Sequence, residues 1–170
     1  VTNLGILSFS RNYYINTVVL PNSYVITRWF EDTSGDLDPV KGNSISAAIY
    51  VYTGVKNYRV KDDNPNYSSV EGCIYSKDGT ELIAVPVHYT GVLNIKAGTT
   101  TIGQEAFWEQ RKDFIDYITE INIPASVTTI EEHQLATLNA LMSRSTNQVT
   151  ITIDSGNPAY QITNNQIVAK

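Results

Sequence analysis

The sequence predicts a β-rich α/β solenoid, in which similar chain units stack and strands alternate with short helical or irregular segments. Short phrases recur along the chain: residues 64–67 (Asn-Pro-Asn-Tyr) return as residues 157–160 (Asn-Pro-Ala-Tyr), and residues 20–23 resemble residues 123–126. The chain is rich in Val, Ile and Thr and contains 11 Tyr, and these residue types favour strands. One such unit cannot bury its own apolar face, so recurring units are expected to stack.

The composition suits a folded protein and excludes several partners. The chain has 170 residues, of which 42% are hydrophobic and 17% charged, and its formal net charge is −5. That charge, without a Lys/Arg cluster, argues against nucleic acid binding, which needs concentrated positive charge. Apolar runs are too short for a transmembrane segment. Because neither a signal peptide nor an initiator Met is visible, we expect a fragment of a longer array that forms a single domain over 1–170.

The elements follow from local patterns. Strands are predicted at 16–20, 56–60, 72–76, 80–85, 93–95, 121–123 and 149–153. Asp78-Gly79 lies between two of these runs and predicts a hairpin, because both residue types tolerate the positive φ of a tight turn. A helix is predicted over 131–141, where Leu135, Leu138 and Leu141 recur at helical spacing.

Residues 31–48 fit no repeat and are predicted to form an irregular insertion. Asp32, Asp36 and Asp38 alternate there in the manner of calcium ligands, but no Glu closes the loop. A weak calcium site and a solvated acidic loop both remain open. The single cysteine, Cys73, is interpreted as a small buried hydrophobic residue rather than a reactive thiol. No cofactor is expected.

A family resemblance adds to this pattern. The phrases at 64–67, 72–83, 102–107 and 121–130, in this order, resemble the BspA-like leucine-rich repeats of bacterial surface proteins. Residues 55–130 match well, whereas 1–30 and 149–168 match more loosely, and the link at 108–117 is longer than the family uses. The resemblance implies a leucine-rich-repeat right-handed superhelix with inserted β-hairpins. It also implies an extracellular or cell-surface location and adhesion or ligand binding rather than catalysis.

Aligning the predicted strands gives alternating columns of side chains. Because side chains alternate along a strand, the apolar columns should face the core and the polar columns should face outward. The inward columns are Leu20, Val60, Ile95, Ile123 and Ile153, and Val18, Tyr58, Leu93, Ile121 and Ile151. The outward columns are Val19, Arg59, Asn94, Asn122 and Thr152, and Thr17, Asn57, Val92, Glu120 and Thr150. Exposed strand faces of solenoids are common binding surfaces.

The sequence therefore predicts a ligand-binding face. Its candidate residues are Thr17, Val19, Asn57, Arg59, Asn94, Glu120, Asn122, Thr150, Thr152, Tyr50 and Tyr52. The expected partner is an extracellular protein or a polysaccharide. Three plainer interpretations remain: the columns are only solvated strand faces, Asn94 and Asn122 hydrogen-bond each other, and the two tyrosines pack beneath the insertion.

Two other functions are weighed against binding. A structural spacer or cap that presents another domain would have the same polar columns and no ligand. An enzyme is not expected, because His88 and His133 lie far apart and the sequence motifs of metal, nucleophile and phosphate sites are missing.

Overall fold

The structure is a computed structural model that describes residues 12, 14–26, 54–107 and 117–170. Within those ranges the chain forms short β-strands and one α-helix. The strands are β1 (Thr17–Leu20), β2 (Asn57–Val60), β3 (Tyr67–Val70), β4 (Cys73–Ser76), β5 (Glu81–Ala84), β6 (Gly91–Asn94), β7 (Thr101–Ile102), β8 (Ile118–Ile123), β9 (Thr129–Ile130), β10 (Thr150–Ile153), β11 (Tyr160–Thr163) and β12 (Gln166–Ala169). The helix, α1, spans Glu132–Met142.

Parallel strands from successive chain units stack side by side. β1 pairs with β2, and β6, β8 and β10 form a second parallel sheet in the order β10-β8-β6. Asn122 lies 28 residues after its partner Asn94, and Thr152 lies 30 residues after Asn122. Parallel neighbours need a crossover between them, so each interval is one coil of the chain. These registers confirm the predicted repeat architecture.

A larger sheet of mixed strand direction continues the same coils. It contains five strands in the order β3-β4-β5-β7-β9, and β5, β7 and β9 are parallel. Leu82 pairs with Ile102, which pairs with Ile130, so one buried aliphatic residue recurs in each coil. The coils that start with β6 and β8 therefore each run through a strand of the β10-β8-β6 sheet, a turn, and a short strand, β7 or β9, of the five-stranded sheet.

The recurring Asn-Pro-x-Tyr phrase is a turn that ties one coil to the one before it. The Asn64 Oδ1 accepts the N–H of residues 66 and 67, both at 2.9 Å, and the Asn157 Oδ1 accepts those of residues 159 and 160 in the same way. The hydroxyl of Tyr67 accepts the Ile26 N–H, and that of Tyr160 accepts the Ile130 N–H. The shared phrase therefore encodes a shared structure.

Each of these turns leads into an equivalent hairpin. β3 pairs antiparallel with β4, and β11 pairs antiparallel with β12, with two-residue turns between them. Both turns have positive φ at both positions, as tight hairpins require: Glu71-Gly72 in one and Asn164-Asn165 in the other. These are the inserted hairpins that the family resemblance implies.

The predicted Asp78-Gly79 turn joins β4 to β5, but only Gly79 takes a positive φ, of 76°. The Gly79 N–H donates to Ser76 C=O at 2.9 Å, which closes a four-residue turn. Asp78 acts through its carboxylate, which accepts hydrogen bonds from the Ser76 hydroxyl, the Thr80 hydroxyl and the Thr80 N–H at 2.6, 2.8 and 3.0 Å. The hairpin prediction is confirmed, and the expected backbone role of Asp78 is wrong.

The predicted helix is confirmed as α1, with a polar anchor that the apolar pattern did not indicate. Leu138, Leu141 and Met142 are buried, as is Gln134. The Gln134 Oε1 accepts the Phe107 N–H at 2.8 Å, and its Nε2 donates to the Gln104 C=O at 2.6 Å. A buried amide that satisfies two main-chain groups fixes how the helix docks on the preceding coil.

The buried side chains form two clusters. The smaller lies around Leu20, Tyr24 and Tyr58, and the larger includes residues from Cys73 to Ile167. β4 stands between them: Cys73 and Tyr75 belong to the larger cluster, and Ile74 belongs to the smaller. Side chains alternate along a strand, so Cys73, Ile74 and Tyr75 are all apolar because the strand faces a core on each side.

The predicted single stack of five parallel strands is wrong in one respect. β2 and β6 are not paired, and the described residues do not trace a closed superhelix. Instead, the Tyr58 N–H donates to Gly72 C=O at 2.8 Å and the Val60 N–H donates to the Ser69 hydroxyl at 2.9 Å. The β3–β4 hairpin thus occupies the edge of β2 and separates the two parallel sheets.

Candidate ligand-binding face

Within each of the two parallel sheets, the register of the strands confirms the alignment of the predicted columns. On the first sheet Val19 pairs with Arg59, and on the second Asn94 pairs with Asn122, which pairs with Thr152. The inward columns are buried except for Val60 and Ile153, which are half-buried. We call the outward side the outward face; its residues are Thr17, Val19, Asn57, Arg59, Val92, Asn94, Glu120, Asn122, Thr150 and Thr152, all exposed or half-buried.

The outward face has two halves because the β3–β4 hairpin separates the β1-β2 sheet from the β10-β8-β6 sheet. The half on β1 and β2 carries Arg59, and the half on β6, β8 and β10 carries no Lys or Arg in any strand. The predicted residues are therefore brought together in two groups rather than one. Their role in binding stays a prediction.

A row of hydrogen-bonded side chains crosses the second half. The Asn122 Nδ2 donates to the Asn94 Oδ1 at 2.9 Å, and the Thr152 hydroxyl donates to the Asn122 Oδ1. We call these three residues the amide row. The sequence-based alternative in which Asn94 and Asn122 bond each other therefore holds in the structure. The row fixes the direction in which each amide points.

Each half has a shallow depression at the ends of its strands. On the first sheet a depression of about 430 Å³ is lined by Val19, Arg59, Val60, Lys61 and Asp62. On the second sheet a depression of about 230 Å³ is lined by the amide row, Ile95, Ile123, Pro124 and Asp154. The two depressions occupy equivalent places but differ in charge.

Another depression, of about 340 Å³, lies beside the five-stranded sheet and was not indicated by the sequence. Its lining includes Tyr67, Ser76, Glu81, Gly103 and Glu105. Burial, and next the nearby Glu105 carboxylate, raise the pKa of Tyr24 well above its usual value. The carboxyl groups of Glu81 and Glu105 both interact with other groups of the protein.

Cys73, His88 and His133, the residue types most often used in catalysis, are not part of the outward face. Cys73 is fully buried, and burial raises the pKa of its thiol far above the usual range, which agrees with a packing role. The ring of His88 packs against that of Tyr117 at 5.2 Å, and His133 is exposed on α1. Within the described ranges no group of three or more His, Cys, Asp or Glu side chains is arranged to hold a metal.

Several predictions fall outside the described residues. These are the insertion at 31–48, the calcium candidates Asp32, Asp36 and Asp38, and the ligand candidates Tyr50 and Tyr52. No helix in the part of the chain that the structure describes is long and apolar enough to cross a membrane.

The stacked coils define a repeat protein. No protein-family model matches the chain, and no curated protein matches it. Among solved structures, the pneumococcal vaccine antigen PcpA is 18% identical over 72% of this chain and 25% of its own, with a TM-score of 0.47. A leucine-rich repeat protein from Eubacterium ventriosum is 19% identical over 68% of this chain and 32% of its own, with a TM-score of 0.39. The chain spans a quarter to a third of these proteins' length. Membership of the leucine-rich-repeat family stays a prediction from the motifs.

Proposed function

We propose that this protein is a non-catalytic binding module that recognises an extracellular protein or a polysaccharide through its outward face. The observation that carries the proposal is the register of the polar columns, which presents exposed side chains in rows on parallel strands. Repeat proteins use such extended surfaces for recognition. The cell-surface setting rests on the resemblance of the sequence to bacterial surface repeats.

A structural spacer is the second candidate, and the amide row favours it. Side chains that satisfy one another across a sheet need no ligand, so Asn94, Asn122 and Thr152 could serve the fold alone. A binding module is stabilised by its ligand, whereas a spacer is not stabilised by any added protein or polysaccharide. A spacer loses nothing but a little stability when the face is altered.

A thermal-shift screen tests the proposal. The purified chain is heated with host matrix proteins, neutral and acidic polysaccharides, and calcium as separate additions. A ligand at about 100 times its dissociation constant adds about 2.7 kcal/mol to the stability of the folded state. For a chain of this size that corresponds to a rise in Tm of roughly 5–10 °C.

Variants then map any shift to the face. Arg59→Ala and Asn122→Ala should each abolish the shift for ligands of their own half. Thr163→Ala, which alters an exposed threonine on β11, should leave it intact. Absence of any shift across the whole screen, or a shift that survives both face variants, contradicts the proposal and favours the spacer.

A further inference from the structure

The charge of the second half of the outward face restricts its ligand. β6, β8 and β10 contain no Lys or Arg, while Glu120 faces outward and Asp154 lines the depression. The nearest lysine along the chain, Lys96, has its ammonium group beside Gly79, in the turn between β4 and β5. Among the described residues of this half a polyanion would meet only negative charge, so charge complementarity favours an uncharged ligand.

The amide row presents fixed donors and acceptors. Its hydrogen bonds run in one direction, from the Thr152 hydroxyl through Asn122 to Asn94. The Asn94 amide group remains as a donor at one end, and the Thr152 oxygen can accept at the other. Chained hydrogen bonds polarise one another, and side chains already held in place lose little entropy when a ligand binds. A hydroxyl group, which both donates and accepts, is the natural partner for such a row.

The surroundings of the row suit a sugar better than a protein. Ile95, Ile123 and Pro124 give the depression an apolar floor beneath its polar rim. Val92, 44% exposed, is the one large aliphatic side chain that the strands of this half expose substantially. A protein partner usually needs a buried apolar or aromatic centre, whereas β6, β8 and β10 themselves contain no aromatic residue and expose one large aliphatic side chain.

An aromatic ring lies farther along the same strand. Tyr117, just before β8, is 48% exposed and packs against His88. Tyrosine offers an apolar face to a sugar ring and a hydroxyl to its edge. From Tyr117 to Asn122 the strand extends roughly 17 Å, so one sugar ligand that contacts both must be a chain of several units.

From these observations we propose that the second half of the outward face, at the amide row, binds a neutral polysaccharide. The inference rests on the proposed binding function and names its ligand class. The sugar chain runs along β8, with hydroxyl groups on Asn94, Asn122 and Thr152 and a ring against Tyr117. The first half, with Arg59, plays no part in this contact.

Affinity electrophoresis in native gels tests the inference, with the whole chain run through gels that contain dextran, a soluble β-glucan, a mannan, hyaluronan or heparin. At least one neutral polymer is expected to retard the protein. Asn122→Ala and Thr152→Val should each reduce the retardation at least tenfold in apparent affinity, and Tyr117→Ala should weaken it several-fold. Thr163→Ala, which alters an exposed threonine on β11 outside the outward face, is the control and should bind normally. Circular dichroism and Tm verify that each variant is folded.

The other outcomes overturn the inference in distinguishable ways. Retardation only by the acidic polymers, lost in Arg59→Ala, overturns it but leaves the outward face a binding surface. If instead a protein ligand binds and Asn122→Ala abolishes its binding, the inference is also overturned, and the outward face is still a binding surface. Retardation by neutral polymers that Asn122→Ala and Thr152→Val leave unchanged also overturns it, because the contact then lies elsewhere. If neither polysaccharides nor host proteins bind the face, the proposed function fails as well.

Discussion

Asn157 and Asn64 occupy equivalent turns but differ in how many hydrogen bonds they make. Asn157 accepts two main-chain N–H groups and donates to the carbonyls of Pro124 and Val127 at 3.1 and 2.8 Å. Asn64 accepts the same two N–H groups, but its buried Nδ2 makes no hydrogen bond among the described residues. At about 0.5–1.5 kcal/mol per net hydrogen bond, Asn157→Ala should cost roughly 2–6 kcal/mol and Asn64→Ala about half that.

Urea unfolding of the two variants beside the parent protein measures this difference. Because the turns match in sequence and position, each variant serves as the control for the other. Equal losses of unfolding free energy would mean that the donated bonds of Asn157 contribute nothing to stability.

The stability that Asp78 gives to the turn between β4 and β5 depends on pH. Hydrogen bonds from Ser76, and next from Thr80, lower the pKa of this carboxyl from 3.8 to about 2. A carboxyl whose pKa is depressed in the folded state stabilises the protein above its unfolded pKa, and that stabilisation is lost as the pH falls toward about 2. Asp78→Ala should therefore lower the Tm at pH 7, and the gap to the parent protein should close between pH 4 and pH 2.

Thermal melts by circular dichroism across that pH range test the dependence. Asp63→Ala is the control, since Asp63 is exposed and its side chain makes no hydrogen bond among the described residues. A gap for Asp78→Ala that stays constant down to pH 2 would show that the carboxylate form is not what stabilises the turn.

At the scale of elements, the docking of α1 depends on Gln134. Replacing Gln134 with Ala leaves the Phe107 N–H and the Gln104 C=O without this partner in a buried place. An unsatisfied buried polar group costs about 1–3 kcal/mol, so the loss of unfolding free energy should be about 3 kcal/mol. His133→Ala, one residue away and exposed, should change stability by less than about 0.5 kcal/mol. Chemical denaturation measures both, and similar values for the two variants would contradict the anchoring role.

The elements show what the sequence could and could not predict. Periodicity located α1 and the strands around the inward columns, because apolar residues at regular spacing are a local signal. Gln134 carried no such signal, since a polar residue on a helix indicates solvent until its partners are known. The position of the β3–β4 hairpin at the edge of β2 depends on contacts of Gly72 and Ser69 with another strand, which local patterns do not contain.

At the scale of the whole molecule, the two core clusters should differ in stability. The larger lies under β6, β8 and β10, and the smaller under β1 and β2. Regions with more buried apolar contacts open less often, so the main-chain amides of Leu93 and Ile121 should exchange with solvent more slowly than those of Val18 and Tyr58. Native-state hydrogen exchange read by NMR measures these rates. Equal protection throughout would indicate that both clusters unfold together.

The candidate site was partly predictable for the same reasons as the fold. Alternation placed Asn94, Asn122 and Thr152 on one outward row, and the strand register bears this out. The difference in charge between the two halves became meaningful only once the sheets proved separate. Tyr117, which flanks the second half, lies outside any repeated phrase and so could not be assigned to the face from the sequence.

The gap between β2 and β6 also has a mechanical meaning. The five-stranded sheet runs without interruption beside the coils, whereas the strands of the outward face are divided by the β3–β4 hairpin. A change in the angle between the two halves of the outward face at that line breaks no pairing between described strands. A motion that separates β5, β7 and β9 would break the pairing of the five-stranded sheet. The five-stranded sheet thus holds the coils together, while the angle between the two halves of the outward face can change.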